Sequence, residues 1–192
     1  MNHNLAEYIK RYVNLTEEQL DVFQSYLRPK TIAKKEFILE EGQICKARYY
    51  IKKGCVRMYY IDQKANEQIM HFALDDWWIT DYDSLTSRKG TKYYIQATEE
   101  TEILELPESS FDELCEKLPQ TDRLFRKIME KSFIACQKRI EYTFSLSGED
   151  FYHHFLNSNV AFAQRVPQYM IASYLGMSPE FVSKVKHKKG RS

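Results

Sequence analysis

Four side chains near the end of the chain, Glu180, Ser183, Lys184 and His187, follow one another at spacings of three, one and three. On a helix they share one face. A carboxylate accepts from a cytosine amino group and an ammonium donates to guanine O6 or N7, so this face holds the means to read base edges. Around it Ser178, Lys186, Lys188, Lys189 and Arg191 suit phosphate contacts, which bring affinity and salt sensitivity without sequence preference. The local signals fit a helix there: Ser178 stands as cap, Pro179 in the first turn and Glu180 near the positive end. A solvated basic tail is the competing account of the same charges.

Little else in the chain has the residue types for reaction chemistry. A metal-dependent jelly-roll enzyme needs two or three histidines and a carboxylate converging on the ion, and the strand region offers His71 without an H-x-H pair. Adjacent His153 and His154 on a helix point about 100° apart and do not chelate one ion together. There is no G-x-S-x-G and no G-x-x-x-x-G-K. Cys45, Cys55, Cys115 and Cys136 lack CxxC spacing and are read as reduced, buried apolar residues. No catalytic residue, metal or cofactor is expected. Arg88, Lys89 and Lys92 read as a mobile basic loop, with an anion site as the alternative. Trp77, Trp78, Tyr82, Tyr93 and Tyr94 read as core, with an effector cavity as the alternative.

Charge separates the end of the chain from the remainder. The whole carries +1, yet residues 157–192 hold six Lys or Arg against the single acid Glu180, which leaves the preceding 156 residues at −4. A basic end on a balanced chain points to a polyanion partner. No window of 18 apolar residues and no leader pattern is present, so a cytoplasmic protein without a membrane partner is expected.

The elements that must position these residues follow from periodicity. Thr16 begins T-E-E-Q, a capping box ahead of Leu20, Phe23 and Leu27. From about 31 to 106 the period changes to two, in short runs such as ARYYIKKG, CVRMYYID and TEILELP separated by turns, which predicts six to eight strands in a sandwich or jelly roll. Gly42 and Gly54 are expected in those turns at positive φ. After Pro119 a long helix carries Phe125, Met129, Phe133, Cys136, Ile140 and Phe144 as one apolar stripe, with Leu124 and Ile128 beginning a second. One stripe suits the jelly roll and the other a homodimer seam. SGEDFYHHFLNSN reads as a short helix fading into polar residues. QYMIASYL and SPEFVSKVKHK then read as two helices around Gly176, with Ala172 small where they approach and Ile171, Leu175, Met177, Phe181, Val182 and Val185 as interior.

The order of these elements, together with EEGQICKARYYIKKGCVRMYY and VPQYMIASYLGMSPEFVSKVKHK, resembles the Crp/Fnr superfamily of bacterial transcription regulators. The resemblance implies an α+β chain: a cyclic-nucleotide-binding jelly roll with flanking helices over 1–118, a dimerisation helix over 119–146 and a small helix-turn-helix domain over 147–192. It implies a homodimer on double-stranded DNA, a small-molecule effector and RNA polymerase as a further partner. DNA contacts are expected from Ser178, Glu180, Ser183, Lys184, Lys186 and Lys188, and the effector pocket from Asp81, Arg88, Thr91, Lys92 and Tyr93.

The departures point away from cyclic AMP. Members that bind it have Gly-Glu, where this chain has Thr80-Asp81, and Arg followed by Ser or Thr, near which it has Thr91-Lys92. Asp81 is one methylene shorter than the glutamate that takes the ribose hydroxyl, and Lys92 lacks the two-pronged geometry of guanidinium. The iron-sulfur form of the plan has cysteines near its N-terminus, whereas the first here is Cys45. SNVAFAQRV is too brief for the usual β-hairpin wing, and Pro179 stands where an Arg or another polar contact residue is common. The alternative is a sensor of the same fold that signals to a protein partner without binding DNA.

Overall fold

A computed structural model describes residues 3–189, with side chains throughout except at 3, 4, 161 and 187–189. Helices α1 (His3–Lys10) and α2 (Glu17–Ser25) come first. The capping box forms as read: Gln19 N donates to Thr16 Oγ1 at 3.2 Å and Thr16 N to Gln19 Oε1 at 3.0 Å. The strands are β1 (Arg28–Ile32), β2 (Phe37–Leu39), β3 (Ala47–Lys53), β4 (Cys55–Ile61), β5 (Glu67–Leu74) and β6 (Trp77–Ile79). Helix α3 (Tyr82–Ser87) interrupts them before β7 (Tyr94–Ala97) and β8 (Thr101–Pro107). Then come α4 (Phe111–Lys117), α5 (Gln120–Ser145), α6 (Gly148–Ser158), α7 (Val160–Arg165), α8 (Gln168–Tyr174) and α9 (Pro179–Lys189).

The strands form two four-stranded sheets, ordered β1-β8-β3-β6 and β2-β7-β4-β5, with their inner faces packed together. Ile32, Ile51, Ile79 and Ile103 of the first meet Leu39, Val56, Ile95 and Ala97 of the second in one buried cluster. A second cluster buries the other face of the first sheet: Tyr50, Leu104 and Leu106 pack with Leu5, Ile9, Leu20, Phe23, Leu114 and Leu124 from the helices. The centre of β3 is therefore buried on both sides, which is why ARYYI is a nearly continuous apolar run instead of an alternation. Gly54 joins β3 to β4 at φ +122°, and a Cβ there would lie 2.8 Å from Thr101 Cα, so both conformation and space require glycine.

By internal packing the chain divides into Met1–Tyr60 with His71–Glu130, and Ile61–Met70 with Lys131–Ser192. One boundary of this division falls inside α5, whose opening turns enter the helical core through Leu124, Phe125 and Ile128. Phe125, which begins the stripe that runs on to Phe144, is buried. From Met129 onward the stripe is open: Phe133, Ile134, Ile140 and Phe144 are exposed, Phe144 by 86%. The cysteines separate likewise. Cys45 and Cys55 are buried as expected, but Cys115 is half-buried and Cys136, on the outward stripe, is exposed.

In the second unit Ser147 caps α6, its hydroxyl accepting from Asp150 N at 3.1 Å. Past the polar end of α6, α7 forms over Val160–Arg165, with Phe162 buried against Phe155.

Candidate nucleic-acid interface

The nucleotide-type cassette, β6-α3-β7, is closed on itself. Asp81 is the N-cap of α3: Oδ1 accepts from Asp83 N at 3.1 Å and Ser84 N at 3.4 Å, and Oδ2 from Thr91 Oγ1 at 2.5 Å. Thr91 Oγ1 in turn accepts from Tyr93 N at 2.9 Å. Ser84 Oγ accepts from Cys45 N at 3.0 Å and donates to Lys89 O at 2.6 Å, and Thr80 Oγ1 donates to Ala47 O at 2.8 Å. Thr80, Asp81, Ser84 and Thr91 are all buried. Asp81, at the position that the resemblance gives to the ribose hydroxyl, is therefore already engaged by Thr91.

Of the five pocket candidates, Asp81, Thr91 and the backbone of Tyr93 come together in this network. Arg88 is exposed, in the left-handed region (φ 56°) as the C-cap of α3, and Lys92 is exposed with its ammonium 5.2 Å from the Tyr93 ring centre. The aromatics lie in different surroundings. Trp78 packs on Tyr50 and Phe125, Tyr94 stacks on Tyr59 at 5.1 Å, and Trp77 is 44% exposed. Burial raises the Tyr82 hydroxyl above its usual range against the opposing pull of Arg48. Sequence reading passed over buried Arg57, whose Nε and Nη2 donate to Gln96 Oε1 at 3.1 and 2.7 Å while its guanidinium lies 4.2 Å over Tyr59. An arginine inside the period-two run CVRMYY was the available signal.

The C-terminal helix pair is built on the opposite principle. Met170, Ile171, Ala172 and Leu175 of α8 and the turn face Val182 and Val185 of α9, and all six are buried. Gly176 lies at φ +71°, Met177 N donates to Ala172 O at 2.9 Å and Gly176 N to Ser173 O at 3.1 Å. This double bond pattern ends α8 and needs the left-handed residue at Gly176. Ser178 caps α9, its Oγ accepting from Phe181 N at 3.1 Å. Phe181 is 39% exposed, less interior than its spacing predicts, and its ring lies against the start of α6, where a Cβ on Gly148 would lie 2.9 Å from it.

Glu180, Ser183 and Lys184 are exposed together on α9, with Ser178 at its start. The Glu180 carboxyl is held below the ordinary range by its own backbone N–H, by the Ser178 hydroxyl and by the Lys184 ammonium. Lys186 stands on another side of the helix, where it lines a cleft of about 430 Å³ with Tyr152, His153, Gln168 and Ile171. The side chain of Lys188, like those of His187 and Lys189, lies outside the described residues, as does Arg191. Among the described residues no group of three or more His, Cys, Asp or Glu is arranged to hold a metal ion.

Residues 29–118 match the cyclic nucleotide-binding domain. The fumarate and nitrate reduction regulatory protein of Vibrio cholerae is 25% identical over 185 residues, covering 89% of this chain and 72% of that protein. Among solved structures, FixK2 from Bradyrhizobium japonicum matches with a TM-score of 0.72 at 19% identity, over 85% of this chain and 86% of that one. The global regulator CLP of Xanthomonas campestris, described as c-di-GMP responsive, matches with a TM-score of 0.75 at 13% identity over 92% of each chain. At these identities the solved structures share the fold of this chain, and the likeness to the Vibrio cholerae regulator runs over 185 residues, well beyond the matched domain.

Proposed function

We propose that this chain is a DNA-binding transcription regulator that works as a homodimer, with a jelly roll that does not take up cyclic AMP. One observation carries the reading. In α9 the apolar residues Val182 and Val185 are turned inward while Glu180, Ser183 and Lys184 stand exposed on a well-capped helix, the arrangement a recognition helix needs to enter a major groove. Glu180 and Lys184 are the base-reading pair, and Ser178, Lys186 and Lys188 are assigned to the phosphates. The exposed stripe from Met129 to Phe144 is the seam with a second copy, which presents two such helices to two half-sites. Among the described residues no helix is long and apolar enough to cross a membrane, and the work is assigned to the cytoplasm, where the DNA is.

The engaged oxygens of Asp81 support the negative half of the proposal, since a ribose hydroxyl has to displace Thr91 to reach them. The test is titration of duplex DNA with salt. Affinity should fall steeply as salt rises, with a slope of roughly −0.9 per neutralised phosphate. Sedimentation should show a dimer that Ile140→Asp converts to monomer with loss of tight binding. A chain that shows no affinity for duplex at low salt is instead the sensor that signals to a protein partner.

A further inference from the structure

Helices α6, α7, α8 and α9 bound a cleft of about 430 Å³, a size in the range of small-molecule sites. The stretch too brief for a β-hairpin wing supplies α7 and with it one wall. Ring contacts fix the walls. Phe155 of α6 meets Phe162 of α7 edge to face at 5.4 Å and the Tyr174 ring of α8 at 5.6 Å. Helix α9 is tied to α6 where the Phe181 ring lies against Gly148, one turn before Tyr152.

The floor is apolar: Tyr152, Val166 and Ile171 line it, each at most 4% exposed. Its charge is of one sign. Exposed Lys186 brings an ammonium and His153 an imidazole, and among the described residues no carboxylate lines the cleft or pairs with Lys186. Gln164 and Gln168 add amide groups that donate or accept. An apolar floor with one cation beside it is the counterpart of a small molecule with an apolar body and one carboxylate. A sugar phosphate fits worse, since it sets two charges against one ammonium and lays hydroxyls on a floor that offers them no partner. We propose that this cleft binds small monocarboxylates with an aromatic or aliphatic body, held by Lys186 over the floor of Tyr152, Val166 and Ile171. The consequence for DNA rests on the DNA-binding reading. Lys186 is also assigned to a phosphate, so carboxylate and duplex compete for one ammonium, and each lowers the affinity for the other by the same factor.

The test uses the full chain, isotope-labelled for NMR, with benzoate, naphthoate and octanoate as probes, each beside its neutral primary amide. At least one carboxylate should bind with a Kd of about 0.1–1 mM and move the backbone amides of Tyr152, Gln168 and Ile171, and its neutral counterpart should bind at least about threefold more weakly. Lys186→Gln should weaken the carboxylate to the level of the neutral amide, and Lys186→Arg should restore it. Ala163→Phe, which fills the cleft from α7, should abolish binding of both with the thermal melt still cooperative. The DNA arm uses a duplex selected by the wild-type chain from random-sequence DNA. At matched ionic strength a saturating carboxylate should raise the duplex Kd about three- to tenfold and lower the magnitude of the salt slope by up to about one unit, and Lys186→Gln should remove both effects. No movement of these amides by any of the three carboxylates at about 10 mM overturns the site, as does binding indifferent to Lys186→Gln or to Ala163→Phe. Binding in the cleft with the duplex Kd unmoved overturns the competition. If the wild-type chain selects no duplex, the DNA reading fails and the competition with it, while the amide shifts still decide the site.

Discussion

The cyclic-nucleotide cassette and the helix-turn-helix carry equally recognisable sequence motifs, yet they treat their polar side chains in opposite ways. In the cassette Asp81, Ser84 and Thr91 are buried and bonded to each other or to nearby backbone. In α9 Glu180, Ser183 and Lys184 face outward, held in place by an apolar interior and a serine cap. Residue identity alone does not separate a binding group from a structural one, because an aspartate before a short helix serves a ribose and an N-cap equally well. The separation comes from where the remaining lone pairs and protons go. A site whose hydrogen-bonding capacity is consumed internally contributes stability, and one that leaves it open contributes recognition.

That contrast has measurable edges. Asp81→Ala removes a helix cap and leaves the Thr91 hydroxyl and two α3 amides without their acceptor, so unfolding in urea should become easier by about 2–4 kcal/mol. Millimolar cyclic AMP should leave the wild-type melting temperature unmoved. A rise of several degrees that Asp81→Ala abolishes breaks the comparison at once. In the head the expected effects reverse: Glu180→Ala and Lys184→Ala should each weaken binding to the selected duplex about tenfold to a hundredfold and relax one base position, with the melt nearly unchanged. Two such variants with wild-type affinity and preference dismiss the assignment of that face.

Lys186 sharpens the picture further, because it lines the cleft with Tyr152 and Gln168 while Lys184 shares the Glu180 face. Lys186→Ala should lower the magnitude of the salt slope by up to about one unit, and Lys184→Ala, assigned to a base edge, by a smaller amount. The smallest effect is in pH. The folded-state pKa of Glu180 is depressed, so its contribution to α9 is full above the unfolded value of roughly 4.3 and is lost only as pH falls through the lower folded value. Carboxyl NMR should place its midpoint below that of free glutamate, and DNA affinity should be insensitive to Glu180 titration between pH 5 and pH 8.

Much of this was legible beforehand where a local rule and the tertiary fold agree. T-E-E-Q became a capping box, Gly42 and Gly54 took positive φ, and the alternating runs became strands, because each needs only near neighbours in the chain. Which end of the α5 stripe is covered was not legible, because the stripe is continuous in sequence, while the core that covers its first turns comes from α1, α2 and α4. Helix α3 hid in DYDSLTS, whose small polar residues favour turns as much as helix. In the site, the outward face of α9 follows from its period, but the orientation of Lys186 depends on α6 and α8.

The bare aromatic surface on the second half of α5 reaches beyond architecture. Phe133, Ile140 and Phe144 leave a lone chain with oily side chains in water, so in the proposed homodimer pairing and productive folding of that helix share one equilibrium with total chain concentration. Below the pairing constant, occupancy of a palindromic operator then grows as the square of the amount of chain present. A twofold change in synthesis is thereby amplified about fourfold at the promoter before any ligand takes part.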